Sequence, residues 1–287
     1  MCPIRLYDSL SLAIRDEGDV FLQTRSSLPR NLAGVTNVDR TPVSQLPSNP
    51  EKNLVVKAVR LFQAASGITQ GVDLELVKRI PISSGLGGGS SDAATTLLGC
   101  NVLFGQPLTF DELLPLAAQL GSDVPFFMYA SRPGPSFGCA AICRGRGEIV
   151  EPLRCQVPLP LSIVRPQIGL ATGQVYQVAS ELLRGQLKDI EPSTPSCSVG
   201  EFADALTRGE VSRLPSLIYN RLEEAAFCVA PSLRELQTTV RRYSRGTLLC
   251  GSGSAIFSIH TSIRESRRMA RKALGGNVAL AFAVQTG

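Results

Sequence analysis

Between residues 82 and 99 the chain reads ISSGLGGGSSDAATTLLG, with four glycines and four serines in the first ten positions and an apolar, helix-like run behind them. The preceding VDLELVKRIP (72–81) alternates polar and apolar residues as a strand does, and it feeds straight into the glycines. Strand, glycine loop, helix is the order in which backbone N–H groups converge on an anion at a helix N-terminus. There the helix dipole and the unpaired donors favour phosphate. Side chains would obstruct that approach, which accounts for Gly85, Gly87, Gly88 and Gly89, while Ser90 and Ser91 add hydroxyls able to reach a phosphate or a magnesium ion. Two familiar loops are excluded. No lysine follows the glycines as the P-loop requires, and Ser90 stands where the dinucleotide fingerprint needs its third glycine.

The rest of the chain suits a soluble globular protein. Its 287 residues make one large domain or two ordinary ones, and 44% apolar with 18% charged residues is a globular composition. No stretch approaches the roughly 18 uninterrupted apolar residues of a membrane helix. The opening MCPIRLYDSLSLAIRDEGDV reads as an alternating strand with early acidic residues, not as a signal peptide, so no membrane partner is expected. A net charge of +5 permits an anionic ligand. The arginines of RESRRMARKAL (264–274) fit a solvated helix face better than a nucleic-acid contact, since no aromatic platform accompanies them. The eight cysteines are scattered without a C-x-x-C pair, and His260 is the sole histidine, so free thiols in a reducing compartment and no zinc site are expected.

Residues 4–24 read as two strands around the turn RDEGD, followed by a proline-containing loop over 26–50 and an amphipathic helix over 51–66. Ala93 to Phe104 read as a helix stopped by Gly105. Thr109 and Glu112 form a capping box opening a helix that runs to Leu120 and ends at Gly121. LPLSIVRP (159–166) is a buried strand after a proline-rich join, which divides the chain into domains 1–155 and 156–287. EPSTPSCSVG (191–200) reads as a connector. The tail reads as a helix (231–243), a strand around GTLLCGSGSAIFSIH, a basic helix (263–274) and a final strand, NVALAFAV.

The glycine loop resembles the signature of the GHMP kinases, a family that includes galactokinase, homoserine kinase and mevalonate kinase. Its triple glycine and SSDAA, in PISSGLGGGSSDAA, are similar to the branch that phosphorylates a cytidine diphosphate-linked methylerythritol, whereas most other members carry a loop like G-L-G-S-S-A. The likeness continues in NLVVKAVRLF (53–62), LVKRIP (76–81), GSDVPFF (121–127), GRGE (145–148), IGLATGQVY (168–176), YNRLEEAAF (219–227) and LCGSGSAIF (249–257), and covers essentially the whole chain in order.

The resemblance implies a two-domain α/β (α+β) fold. Its N-terminal, ATP-binding domain would be like ribosomal protein S5 domain 2, and its C-terminal domain ferredoxin-like. It implies a phosphotransferase acting on an alcohol, with ATP and Mg²⁺. The substrate would be 4-diphosphocytidyl-2-C-methyl-D-erythritol in non-mevalonate isoprenoid biosynthesis; the alternatives are a GHMP kinase for another alcohol or a nucleotide-binding pseudokinase. It also implies a monomer or weak homodimer, in bacterial cytoplasm or, for a plant or alga, plastid stroma. Residue by residue, Pro81, Ile82, Ser83, Ser84, Gly85, Leu86, Gly87, Gly88, Gly89, Ser90 and Ser91 match the ATP phosphate loop, with Asn53 and Lys78 beside the nucleotide. Ser91 is the candidate magnesium ligand. Asp123 matches the catalytic aspartate, on a corner expected to be rigid because Gly121 ends a helix and Pro125 forces Val124 to be extended. From the residues alone, Asp123 reads as a turn or cap aspartate. Thr172 and Tyr176 match positions near the cytidine substrate. CGSGSAIF (250–257) matches a glycine turn that supports the phosphate loop, and reads equally as a tight turn between strands.

Members of the family usually open with a strand carrying PAKINL and then DGYH, and neither motif occurs here. Two expectations follow: the start is internal to a longer product, whose upstream segment supplies a lysine beside Asp123 and an aromatic–histidine pair for the cytosine, or the chain is a degenerate relative that still binds nucleotide.

Overall fold

The computed structural model describes residues 1–27, 49–132, 140–155, 158–186, 195, 197–244, 246–273 and 278–286. They form two compact units. The first holds the described residues up to Ile82 and those of Gly87–Arg154; the second holds Ser83–Leu86 and the described residues of Cys155–Gly287.

In the first unit, β1 (Ser9–Arg15) and β2 (Val20–Ser26) are the two strands expected around the RDEGD turn, but they do not pair with each other. The third strand, β3 (Gly71–Lys78), lies between them, antiparallel to β1 and parallel to β2. The turn must therefore cross the start of β3, and it crosses at a glycine. A Cβ on Gly71 would lie 2.0 Å from the Asp19 carbonyl oxygen and 2.1 Å from that of Glu17. Arg15 clamps the same crossing, reaching Asp19 at 2.6 Å, Glu17 at 2.7 Å and Asp73 at 3.1 Å. Val72, Leu74 and Leu76 of β3 turn inward at the strand period of two.

They meet the apolar faces of α1 (Leu54–Ser66), α2 (Gly88–Leu103), α3 (Phe110–Leu120) and α4 (Val124–Ala130) in a core that includes Val59, Phe62, Leu97, Leu113 and Met128. A hairpin, β4 (Ala140–Arg144) with β5 (Ile149–Leu153), completes the unit.

Helix starts are where the sequence reading shifts. The first turn expected of α1 is a separate 3₁₀ turn, Pro50–Lys52, after which Asn53 caps α1 by accepting the Val55 amide at 3.1 Å. In contrast α2 begins earlier than Ala93, at Gly88, because Gly87 serves as its N-cap in the left-handed region and the glycines behind it take helical geometry. The α3 capping box is as expected, with Thr109 and Glu112 bonded reciprocally. The loop expected over 26–50 lies, for 28–48, outside the described residues.

The second unit is built on a four-stranded antiparallel sheet, order β7 (Gly246–Leu249), β8 (Ile256–Ile259), β6 (Pro160–Pro166), β9 (Val278–Gln285). In chain order these are its second, third, first and fourth strands, the ferredoxin-like arrangement the resemblance implies. The first crossover carries α5 (Thr172–Leu183), α6 (Val199–Thr207), α7 (Glu223–Val229) and α8 (Ser232–Arg241), and the second carries α9 (Ile263–Ala273). Every residue of β6 is buried, and α9 turns Ser266, Met269 and Ala270 inward while its arginines face out. The single strand expected around GTLLCGSGSAIFSIH is a hairpin, broken at Cys250–Ala255 where the Cys250 amide donates to the Ala255 carbonyl. Residues 191–194 and 196 of the expected connector lie outside the described residues, and its last residues open α6 through a Ser198–Glu201 capping box.

One expectation is overturned outright. Cys155 is disulfide-bonded, so the thiols are not all free. Cys2, Cys100, Cys143, Cys197, Cys228 and Cys250 are free, and Cys139 lies outside the described residues. A disulfide needs Cα atoms within about 7 Å, a proximity that sequence spacing does not reveal. Among the described residues no helix is long and apolar enough to cross a membrane.

The crossing over β3 predicts that Gly71→Ala lowers stability by about 1–3 kcal/mol, because the turn must lift off two carbonyl contacts. Urea unfolding measures it; an unchanged midpoint would mean that the turn moves aside freely.

Candidate active site

The glycine loop adopts a backbone few residues tolerate. Ser83 (φ 54°), Gly85 (φ 76°) and Gly87 (φ 72°) all lie in the left-handed region, and Ser83 does so with a side chain. Its first part belongs to the second unit. There the Ser84 carbonyl accepts the Ala255 amide at 3.0 Å, and a Cβ on Gly85 would stand 1.9 Å from the Cys250 carbonyl oxygen. Two backbones touch there with no room for a side chain. The Cys250–Ala255 turn is itself held: Asn220 Nδ2 donates to the carbonyls of Leu249 (3.0 Å) and Gly251 (2.7 Å), and the Glu223 carboxylate accepts the Leu249 amide at 3.1 Å. Burial pushes the pKa of Glu223 up, and that amide bond and Arg241 pull it back. On the other side of the turn, Ser252 Oγ lies 3.1 Å from Thr172 Oγ1, and Ser254 Oγ donates to the Ile168 carbonyl at 2.5 Å. Three stretches quoted from the sequence, 83–86, 168–172 and 250–254, thus converge. Tyr176, one helical turn beyond Thr172, is 57% exposed.

In the first unit the loop becomes α2. The first intrahelical bond runs from the Ser91 amide to the Gly87 carbonyl at 2.9 Å, so the amides of Gly88, Gly89 and Ser90 have no intrahelical acceptor. Asn53, Thr109 and Ser198 cap α1, α3 and α6 with their side chains; Gly87 offers α2 no such bond, and no acidic residue stands in its first turn. The glycines divide by purpose. A Cβ on Gly88 would meet Ile80 at 2.9 Å and Lys78 Nζ at 3.3 Å, and one on Gly87 the Phe127 ring at 2.9 Å, so packing alone requires both. Gly89 is different: it is exposed, with nothing nearer a Cβ than Leu54 Cδ1 at 3.7 Å.

Asp123 is the N-cap residue of α4, at φ −90° and ψ −12°. The expected extended Val124 is not found: Val124 is the first residue of α4 and Pro125 the second, where the missing amide costs no hydrogen bond. The corner is fixed from outside instead. A Cβ on Gly147, in the β4–β5 turn, would lie 2.5 Å from the Ser122 carbonyl oxygen. The Asp123 carboxylate makes no capping bond and remains exposed, so the cap role leaves it chemically available. The surrounding protein desolvates it enough to push its pKa up, against the opposing pull of the Met1 ammonium. One turn further along α4, Phe127 rests on Gly87, so the helix carrying Asp123 touches the start of α2.

Asn53 and Lys78 both serve the fold. Asn53 caps α1, and the Lys78 ammonium is buried between Asp8 and Asp92, the latter at 2.6 Å. Burial pushes the pKa of Asp92 up strongly, Lys78 pulls it down and the nearby Asp8 charge adds to the rise. Sequence reasoning gave no role to Asp8, Asp92, Asn220, Glu223 or Gly147. Four of the five stand inside quoted motifs, but nothing in a linear motif says which residue bonds which. Among the described residues no three His, Cys, Asp or Glu side chains gather as a metal site.

The chain is similar to known proteins along most of its length. The family model for the GHMP kinases N terminal domain matches residues 53–131. A 4-diphosphocytidyl-2-C-methyl-D-erythritol kinase of Shouchella clausii (strain KSM-K16) is 31% identical over 260 residues, covering 90% of this chain and 75% of that one. The chloroplastic enzyme of that name from Mentha piperita is 35% identical over 248 residues, 84% of this chain and 55% of its own. A crystal structure of 4-(cytidine 5'-diphospho)-2C-methyl-D-erythritol kinase superposes with a TM-score of 0.71 at 30% identity, covering 100% of this chain and 88% of that one. Fold and loop together define a small-molecule kinase of the GHMP type, in its two-domain α+β architecture. Within that class the chain belongs to the 4-diphosphocytidyl-2-C-methyl-D-erythritol kinase family.

Because Gly147 packs directly on Ser122, Gly147→Ala is expected to shift the Asp123 corner and lower kcat by about tenfold or more, a misplacement effect, with ATP affinity kept. Steady-state kinetics beside calorimetric ATP titration reads this; an unaltered kcat would mean that the β4–β5 turn does not position Asp123.

Proposed function

We propose that the chain transfers the γ-phosphate of ATP to the 2-hydroxyl of 4-diphosphocytidyl-2-C-methyl-D-erythritol, in the non-mevalonate route to isoprenoid precursors. The observation that carries the reading is the uncapped start of α2, where Gly88, Gly89 and Ser90 present amides without intrahelical acceptors. Residues Pro81 to Ser91 take the ATP phosphates, with Asn53 beside the nucleotide and Lys78 held behind the loop by Asp8 and Asp92. No loop lysine is present, so amides in fixed positions meet the charge of the transferring group. Asp123 accepts the proton of the attacking hydroxyl, and its raised pKa makes it a better base than an ordinary aspartate. Thr172 and Tyr176 receive the cytidine end, the exposed Tyr176 ring offering a face on which cytosine stacks. Mg²⁺ would be held mainly by the nucleotide, with the partly exposed Ser91 hydroxyl as the protein ligand, since Mg²⁺ keeps water and phosphate oxygens readily. When bound it supplies charge neutralisation at the phosphates. The reading places the protein in bacterial cytoplasm or plastid stroma; the relative from Mentha piperita is chloroplastic.

Gly89 gives the sharpest test, because the fold leaves it space for a side chain. Gly89→Val is expected to keep the fold and weaken ATP binding by at least about tenfold, the cost of blocking phosphate from the amides. Circular dichroism and calorimetric titration report the two effects. Undiminished affinity would sink the phosphate-loop reading.

Asp123→Asn is expected to lower kcat by about 10² or more, as loss of a general base does, and to leave ATP affinity nearly unchanged. In the parent chain kcat/KM should rise with pH as Asp123 ionises, on a limb lying above the ordinary aspartate value of 3.8. A variant that keeps most of its kcat, or one that keeps the same limb, removes Asp123 from the proton transfer.

A further inference from the structure

Asp8 and Asp92 converge on the Lys78 ammonium, and the three side chains are only 4%, 7% and 6% exposed. Lys78 ends β3, and Asp92 lies in the second turn of α2. Asp8, just ahead of β1, also accepts the backbone amides of Arg79 and of Ile80, the latter at 2.8 Å. The cluster therefore binds the residues that enter the glycine loop, 78–80, to the helix that leaves it. Gly88 packs on Ile80 and Lys78 and closes the same joint sterically.

Nothing in the proposed phosphate transfer uses Asp8 or Asp92, and two carboxylates already take the charge of Lys78. A buried ammonium so engaged has little to offer a nucleotide, and a buried cluster of this kind is strongly disrupted when one member is removed. We propose that Lys78 is a positioning residue that, with Asp8 and Asp92, fixes both ends of the loop 81–91 and so holds the amides of Gly88, Gly89 and Ser90 in phosphate-binding geometry. Only the last clause rests on the proposed ATP reading; the bracing of the loop stands without it.

The test compares Lys78→Met with the double variant Lys78→Met/Asp92→Asn. The single change leaves two buried carboxylates facing each other without a cation, and the double change removes one of them. Hydrogen exchange of the 79–92 amides in ligand-free protein and calorimetric ATP titration are run on both. Lys78→Met is expected to speed that exchange and to weaken ATP binding about tenfold or more, as loop misplacement does. The double variant is expected to recover slow exchange and most of the affinity, although it has no lysine at position 78. An ATP contact made by Lys78 itself predicts the opposite: exchange unchanged in Lys78→Met, and affinity lost equally in both variants. That result overturns the proposal. Should the parent chain bind no ATP, the nucleotide reading fails by itself, and the exchange comparison still decides the bracing. Should Lys78→Met not fold, Asp8→Ala, which leaves the Arg79 and Ile80 amides without their acceptor, takes its place; unchanged exchange over 79–92 in that variant overturns the proposal too.

Discussion

Three amides at the start of α2 have no acceptor within the helix, and much of the first unit is arranged so that they stay that way. A helix normally meets this need with a side-chain cap, as Asn53 and Thr109 do for α1 and α3. At Gly87 there is no side chain to do so. An N-terminus without a side-chain cap leaves its first amides to water or to a ligand. The helix start is nevertheless held firmly, by Gly88 against Ile80, by Phe127 against Gly87 and by the buried cluster around Lys78.

Glycine serves here mainly by letting backbones touch. Gly71 lets a turn cross the end of a strand, Gly85 lets the loop meet the Cys250 carbonyl, and Gly147 lets a hairpin turn press on Ser122. Each contact brings a polar backbone atom where a Cβ would otherwise stand, so each segment has its position set by its neighbour's main chain. Gly89 has no such neighbour. Its bareness is not explained by the protein's own packing.

In the proposed reaction a structural position and a chemical one coincide at Asp123. A carboxylate at an N-cap position usually spends itself on the helix amides, and this one does not. Its backbone is fixed by the helix it opens and by the turn at Gly147, while its oxygens remain exposed and its pKa is raised by the surrounding protein. Rigidity of the main chain with freedom of the carboxylate is what proton transfer in a fixed geometry asks for.

The sequence by itself determined the strand–glycine–helix junction around 78–88, the capping box at Thr109, the buried strand within 159–166 and the family, because each is written in a short contiguous pattern whose physics is local. It determined the two strands flanking RDEGD but not that a third would lie between them, since strand order depends on residues some fifty positions apart in the chain. It marked SSDAA, YNRLEE and GRGE without saying what Asp92, Asn220 or Gly147 touches. Those partners are Lys78, the Leu249 and Gly251 carbonyls, and Ser122, all distant in sequence. The helical start at Val124 and the disulfide at Cys155 were likewise decided by the fold, through contacts that local propensity and cysteine spacing do not encode. Backbone conformation at glycines and caps is local enough to read from letters; side-chain pairing in a buried cluster exists only once the chain has closed on itself.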